Sequence, residues 1–173
     1  MSTAHANALQ QSQVSNADAP HASLRVWLRL LTCSSLIERN VRSKLRAEFG
    51  ITLPRFDVLA QLDAAGKDTV RGLTMSELSR RLMVTNGNLT SLIERLVHEG
   101  LVSRAALATD RRTQMVRLTA AGRRALHAMT PLHERWIIDM LAGLSSDDHA
   151  RLFALLGKLR GSVQHSLAED ATS

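Results

Sequence analysis

The chain has 173 residues, enough for one compact multi-helix subunit, and 45% of them are hydrophobic, enough for a core. Aromatic residues make up only 3% and tyrosine is absent, which argues against a stacking platform for single-stranded nucleic acid. The one cysteine, Cys33, excludes a disulfide framework within the chain, and the net charge of +6 points toward a polyanionic partner.

That charge is unevenly placed. Residues 67–124 hold 11 Lys/Arg against 5 Asp/Glu, whereas residues 125–173 hold 4 against 6. A local basic zone is the footprint of a polyanion, and the plain alternative is a solvated basic surface. No apolar run is long enough for a membrane span and nothing at the start reads as a signal peptide, so a cytoplasmic location is expected.

Residues 1–22 are rich in Ala, Ser, Asn and Gln without Lys or Arg, and read as a flexible arm. From Leu24 to Phe49 apolar residues recur at helical spacing: Trp27, Leu30, Leu31, Ile37, Val41 and Leu45. Gly50 ends that helix. Thr52 opens a second helix with Pro54 in its first turn, and it stops near Gly66. A third starts at Thr74, where Thr74 and Glu77 have capping-box spacing. After a turn at Met83-Val84, Thr85 is placed to cap a fourth. Leu89, Leu92, Ile93, Leu96 and Val97 form its buried face, and Gly100 ends it.

The period then changes. Residues 101–104 and 114–118 read as two short strands joined by a charged tip of Thr109, Asp110, Arg111 and Arg112. Thr119 caps a long fifth helix, which Pro131 should bend. Ser145 and Asp148 begin a sixth, with Leu152, Leu155, Leu156, Leu159 and Val163 on one face. The expected fold is mainly α: six helices with a two-stranded β-wing.

Two short helices joined by a tight turn and followed by a basic hairpin suit a winged helix-turn-helix, whose second helix enters the DNA major groove. That helix begins Thr85-Asn86-Gly87-Asn88 and continues with Thr90 and Ser91. Asn bonds adenine bidentately, Thr offers a hydroxyl or a methyl contact, and Gly lets the backbone approach closely. Arg95, two turns on, faces roughly the same side and reaches toward a phosphate. Asn and Gly are also ordinary turn residues. Arg111 and Arg112 beside Asp110 suit a narrow minor groove.

From Thr74 to Gly122 the chain resembles the MarR-type family of transcription regulators. The resemblance rests on Leu73-Thr74-Met75-Ser76-Glu77-Leu78, Thr85 to Thr90, Leu96 to Val102, Asp110-Arg111-Arg112, and Leu118-Thr119-Ala120-Ala121-Gly122. It implies a domain over residues 23–168, with the winged helix-turn-helix at about 52–119 and dimerisation helices at about 24–49 and 119–168. It also implies a homodimer on a pseudopalindromic site in double-stranded DNA, associated with the nucleoid when bound. Arg112 would enter the minor groove with Asp110 as its brace, and Ser76 joins the DNA-binding set.

The family resemblance further implies an effector. Residues 30–35 and 52–57 resemble a subgroup that controls aromatic-acid breakdown. The expected ligand is a small anionic aromatic acid or its coenzyme A thioester, releasing a repressor from DNA. The candidate residues are Thr32, Ser34, Ser35, Thr52, Arg55 and His133, with Arg55 facing the carboxylate. Ordinary packing explains each of them as well. A thiol-based sensor is the alternative regulator, but Cys33 lies past the position of the family's reactive cysteine and reads as a buried inert thiol. No metal-ligand spacing, phosphate loop or nucleophile elbow is present, so neither catalysis nor a cofactor is expected. A helical interaction module without DNA binding is the remaining alternative.

Overall fold

The computed structural model describes residues 19–68, 72–107 and 110–170, without the side chains of residues 19, 20, 67, 68, 86, 107 and 110–112. In chain order the elements are α1 (Ala19–Phe49), α2 (Leu53–Asp68), β1 (Leu73–Thr74), α3 (Met75–Leu82), α4 (Asn86–His98), β2 (Val102–Leu107), β3 (Asp110–Leu118), α5 (Ala120–Leu141) and α6 (Ser146–Asp170). The six helices expected are found. The sheet differs: β1 adds a third strand, giving the antiparallel order β1-β3-β2. Helix α1 starts at Ala19, inside the stretch read as an arm; the rest of that arm lies outside the described residues. Helix α2 continues past Gly66 to Asp68, and α5 runs unbroken through Pro131.

The helix ends follow local chemistry. Gly50 takes a left-handed φ of 61° and donates its N–H to the Arg46 carbonyl. Before α3, the Thr74 hydroxyl accepts the Glu77 N–H at 3.2 Å while the Glu77 carboxylate accepts the Thr74 N–H at 2.7 Å. This is a complete capping box. Helix α3 ends on Met83, a non-glycine residue at φ 54°. Val84 donates its N–H to the Ser79 carbonyl, and the Ser79 hydroxyl donates back to the Val84 carbonyl, closing the turn.

The chain divides into two compact units, with the boundary after Ala128. In the first, α2 packs against α1, α3, α4 and β3, and α4 packs against α3 and β2. Its core is aliphatic: Leu45, Val58, Leu59, Leu78, Leu89, Ile93, Leu96, Val102 and Val116 are essentially inaccessible to solvent. Each such side chain contributes about 1.5–3 kcal/mol relative to exposure. Val97, read as part of the buried face of α4, is 37% exposed. The second unit holds the end of α5 and all of α6. Met129 and Trp136 are buried, whereas no described residue of α6 is.

Candidate nucleic-acid interface

Helix α4 turns its apolar side inward and leaves Gly87, Asn88, Ser91, Glu94, Arg95 and His98 exposed, with Thr90 half-buried. Asn88, Ser91 and Arg95 stand at i, i+3 and i+7, so they share one stripe. Thr85 adopts the extended N-cap backbone, φ −70° and ψ 148°, but its side chain makes no capping hydrogen bond. The expected Thr85 side-chain cap is therefore not formed. The first turn of α4 contains no acidic residue. Such a helix start leaves backbone N–H groups for phosphate oxygens. Ser76 is exposed on α3, as are Arg80 and Arg81 in its last turn. Arg80 and Arg81 were missed in the sequence; their signal was adjacent charge on the polar face of the first helix of the pair.

The wing is longer than its sequence suggested. Strands β2 and β3 pair from Val102↔Leu118 to Ala106↔Gln114, and then the register jumps to Leu107↔Asp110. Asp110, Arg111 and Arg112 belong to β3 and not to the connecting tip. Between those two pairs β2 advances by one residue and β3 by four, which is an irregularity of register. Bulges of this kind re-aim side chains at sheet edges. The side chains of Asp110, Arg111, Arg112 and Asn86 lie outside the described residues, as do Ala108 and Thr109.

The base of the wing is fastened to the rear of α4. Gly100, at φ 71°, donates its N–H to the Val97 carbonyl, and Leu101 donates to the Leu96 carbonyl, a Schellman ending. The Thr119 hydroxyl donates to the Gly100 carbonyl at 2.7 Å and accepts the Gly122 N–H at 2.9 Å. Thr119 thus caps α5 and ties it to the end of α4. The Leu-Thr-x-x-Gly motif is a structural clasp behind the candidate DNA-facing surface.

Two of the candidate effector residues, Thr32 and Ser35, line one hollow. A shallow hollow of about 420 Å³ on α1 is lined by Leu31, Thr32, Ser35, Leu36 and Arg39. Thr32 donates its hydroxyl to the Leu28 carbonyl at 2.8 Å. Ser34 is exposed on α1 but does not line the hollow. Neither does Thr52, whose carbonyl accepts the Arg55 and Phe56 N–H groups at the start of α2. Arg55 is elsewhere too: its guanidinium pairs with the Glu99 carboxylate at the C-terminal cap of α4. The expectation that Arg55 faces an effector in the Thr32–Ser35 notch is thus corrected. The cation at that notch is Arg39, seven residues after Thr32 and four after Ser35 on the same helix face. His133, in the second unit, lies edge-on to Trp136 with ring centroids 6.5 Å apart, and burial holds its imidazole pKa below the ordinary value.

Two further groups depart from what the sequence suggested. Asp57, on α2, has its pKa pushed up to about 6, chiefly by burial and then by the nearby charge of Glu38, against the opposing pull of Arg42. Cys33 is exposed, because this half of α1 lies outside the core, which corrects its reading as buried. Among the described residues no group of three His, Cys, Asp or Glu is placed to hold a metal. No described helix is long and apolar enough to cross a membrane.

A helix-turn-helix with a polar outer stripe, a bulged basic wing and a clasp between them defines a winged helix-turn-helix DNA-binding protein. Residues 49–113 match the model of the MarR family. The transcriptional activatory protein BadR of Rhodopseudomonas palustris is 34% identical over 100 residues, covering 57% of this chain and 55% of that protein. The structure resembles S. aureus MepR in a DNA complex, with a TM-score of 0.67 and 25% identity, over 80% of this chain and 96% of that one. It also resembles an E. coli MarR mutant complexed with operator DNA, with a TM-score of 0.66 and 26% identity, over 86% of this chain and 99% of that one. The chain belongs to the MarR family of winged helix-turn-helix transcription regulators.

Proposed function

We propose that this regulator works as a homodimer on a pseudopalindromic operator and that a small anionic aromatic compound releases it, so that it acts as a repressor. In this reading residues 52–119 form the DNA-binding domain, and the helices at about 24–49 and 119–168 dimerise. The observation that carries the dimer is α6, a 25-residue helix without a buried residue, on which Leu152, Leu155, Leu156, Leu159 and Val163 are all at least 40% exposed. An apolar stripe of that length is stable in water only when covered. Leu24, Trp27, Leu28, Leu30 and Leu31 of α1 are exposed as well. Two-fold pairing would set the two copies of α4 roughly 34 Å apart, one turn of DNA.

On each half-site, Asn88, Thr90, Ser91 and Thr85 read base edges, Arg95 meets phosphate, and Arg112 enters the minor groove. Asn86, Gly87, Ser76, Asp110 and Arg111 complete the contact surface. The effector reading draws support from the hollow on α1, where Leu31 and Leu36 suit an aromatic ring and Arg39 suits a carboxylate. Ser34, Thr52 and His133 draw no such support.

The test combines sedimentation with titration of DNA. An operator selected from a random-sequence pool should bind a dimer, with affinity falling steeply between two salt concentrations. Benzoate, nicotinate, cinnamate and their thioesters are then added to the complex. A monomer at micromolar concentration defeats the dimer, and no release by any of the acids defeats the effector reading.

A further inference from the structure

We infer that Arg55 and Glu99 form a positioning pair, which holds the rear of α4 against α2 and so sets operator affinity without either residue touching DNA. The pair joins two elements. Arg55 sits in the first turn of α2, its side chain 21% exposed, and Glu99 is the C-terminal cap of α4, its side chain 39% exposed.

Two features separate this pair from an ordinary surface ion pair. First, the Arg55 Nε is buried and has no hydrogen-bond partner among the described residues. A buried donor left unsatisfied costs free energy, so the pair is poorly built for stability alone. Second, it lies at the end of α4 opposite the candidate base-reading residues. The N-terminal end has no side-chain cap, while the C-terminal end holds the Schellman bonds, the Thr119 clasp and this ion pair. The helix is therefore gripped at its rear and open at its front.

The lever is long. Thirteen residues at about 1.5 Å each make a helix of about 20 Å, so a tilt of about 5° at Glu99 moves the Asn86 end by about 1.7 Å. A displacement of that size takes a base contact out of hydrogen-bond reach. Arginine suits the task because its rigid guanidinium fixes direction as well as charge.

The inference rests on α4 being the helix that reads DNA, and charge tells the two failures apart. Removing a negative charge from a DNA-binding surface ordinarily tightens binding; loss of a positioning pair weakens it. Glu99→Gln, Arg55→Gln and the charge-swapped double variant Arg55→Glu with Glu99→Arg are compared with wild type. All are assayed on the selected operator, well below their melting temperatures, with folding checked by circular dichroism. The expected result is a tenfold or greater loss of affinity for Glu99→Gln and recovery to within about threefold in the double variant. The salt dependence of Arg55→Gln should match wild type, because a lost phosphate contact lowers that slope by about one.

Unchanged or tighter binding by folded Glu99→Gln overturns the inference, as does a shallower salt slope for Arg55→Gln. A merely stabilising pair would move the melting temperatures and leave the affinity of the folded protein alone. If wild type itself binds no DNA, the reading of α4 falls, and this inference with it.

Discussion

Replacing Gly122 with alanine should damage this protein although the position lies in a helix, where alanine is normally favoured. A Cβ built on Gly122 lies 1.9 Å from the Leu101 carbonyl oxygen, 2.9 Å from its carbon and 3.1 Å from the Leu118 Cδ2. The two atoms nearest it are backbone, so no side-chain rotation relieves the overlap. The start of α5 and the end of α4 must separate by about 1.5 Å, and overpacking of this kind costs about 1–3 kcal/mol. The same carbonyl accepts the Thr119 N–H at 3.1 Å and the Thr119 hydroxyl at 3.1 Å, and both bonds stretch. Their loss adds about 1 kcal/mol each, against a gain of about 1 kcal/mol in helix propensity. The net loss is then about 2–4 kcal/mol, which in a chain of this length lowers the melting temperature by about 5–12 °C. Gly66→Ala is the control: it lies within α2 with nothing within 4 Å of a built Cβ, and should raise stability by about 0.5–1 kcal/mol. Thermal melts followed by circular dichroism measure both. If Gly122→Ala melts within about 2 °C of wild type, the clasp is not the close contact described.

Arg112→Ala should weaken operator binding by about 1–3 kcal/mol with an unchanged melt, and Asn88→Ala should relax base preference in a competition assay. Thr74→Ala should cost about 0.5–2 kcal/mol of stability at neutral pH, read from denaturant titration. Hydrogen bonds from the Thr74 backbone and hydroxyl hold the Glu77 carboxyl below its ordinary pKa. The contribution of the box is thus present above the ordinary carboxylate range and lost as pH falls through the lowered value, so the gap between the two proteins should narrow in acid. Asp57 behaves in the opposite sense. Its folded pKa of about 6 lies above the ordinary 3.8, so the fold favours the protonated form. That contribution is full below about pH 4 and lost as pH rises through about 6. Asp57→Asn should therefore melt higher than wild type at pH 7, with the difference vanishing near pH 4. A constant difference across that range would remove the burial argument.

The parts of the fold that were legible in the sequence are those specified locally. Aliphatic spacing placed the helices, and short polar residues or glycine marked most of their ends. Thr74 with Glu77, Thr119, and Ser145 with Asp148 make the bonds their spacing suggested. Thr85 does not, because an N-cap backbone does not oblige the hydroxyl to bond. Strand β1 was invisible because two residues carry no period; it exists only because β3 supplies its partner. The placement of Asp110 to Arg112 within a strand was hidden for a related reason, since a bulge breaks the alternation by which strands are recognised. Arg55 and Glu99 are far apart in sequence, and only the packing of α2 on α4 brings them together. Arg39 was legible: its spacing from Thr32 and Ser35 puts all three on one helical face.

The pattern of attachments around α4 also constrains how any signal reaches DNA. The helix is joined at its rear to the wing base by Thr119 and Leu101 and to α2 by Arg55, and its inner face is closed by Leu89, Ile93 and Leu96. A close-packed core of this kind resists continuous deformation. Moving α4 alone would break the clasp, the ion pair and the packing together. In the proposed dimer the less costly route is to move the whole DNA-binding lobe and change its separation from the partner's lobe. A ligand drives that motion only by binding better to the wrongly spaced dimer. About 1.4 kcal/mol of preference gives tenfold release, and one charge-assisted hydrogen bond made in only one spacing supplies that much. An effector therefore has to contact groups whose surroundings differ between the two spacings. A ligand held wholly within the lobe would bind both spacings alike and leave operator affinity unchanged, however tightly it bound.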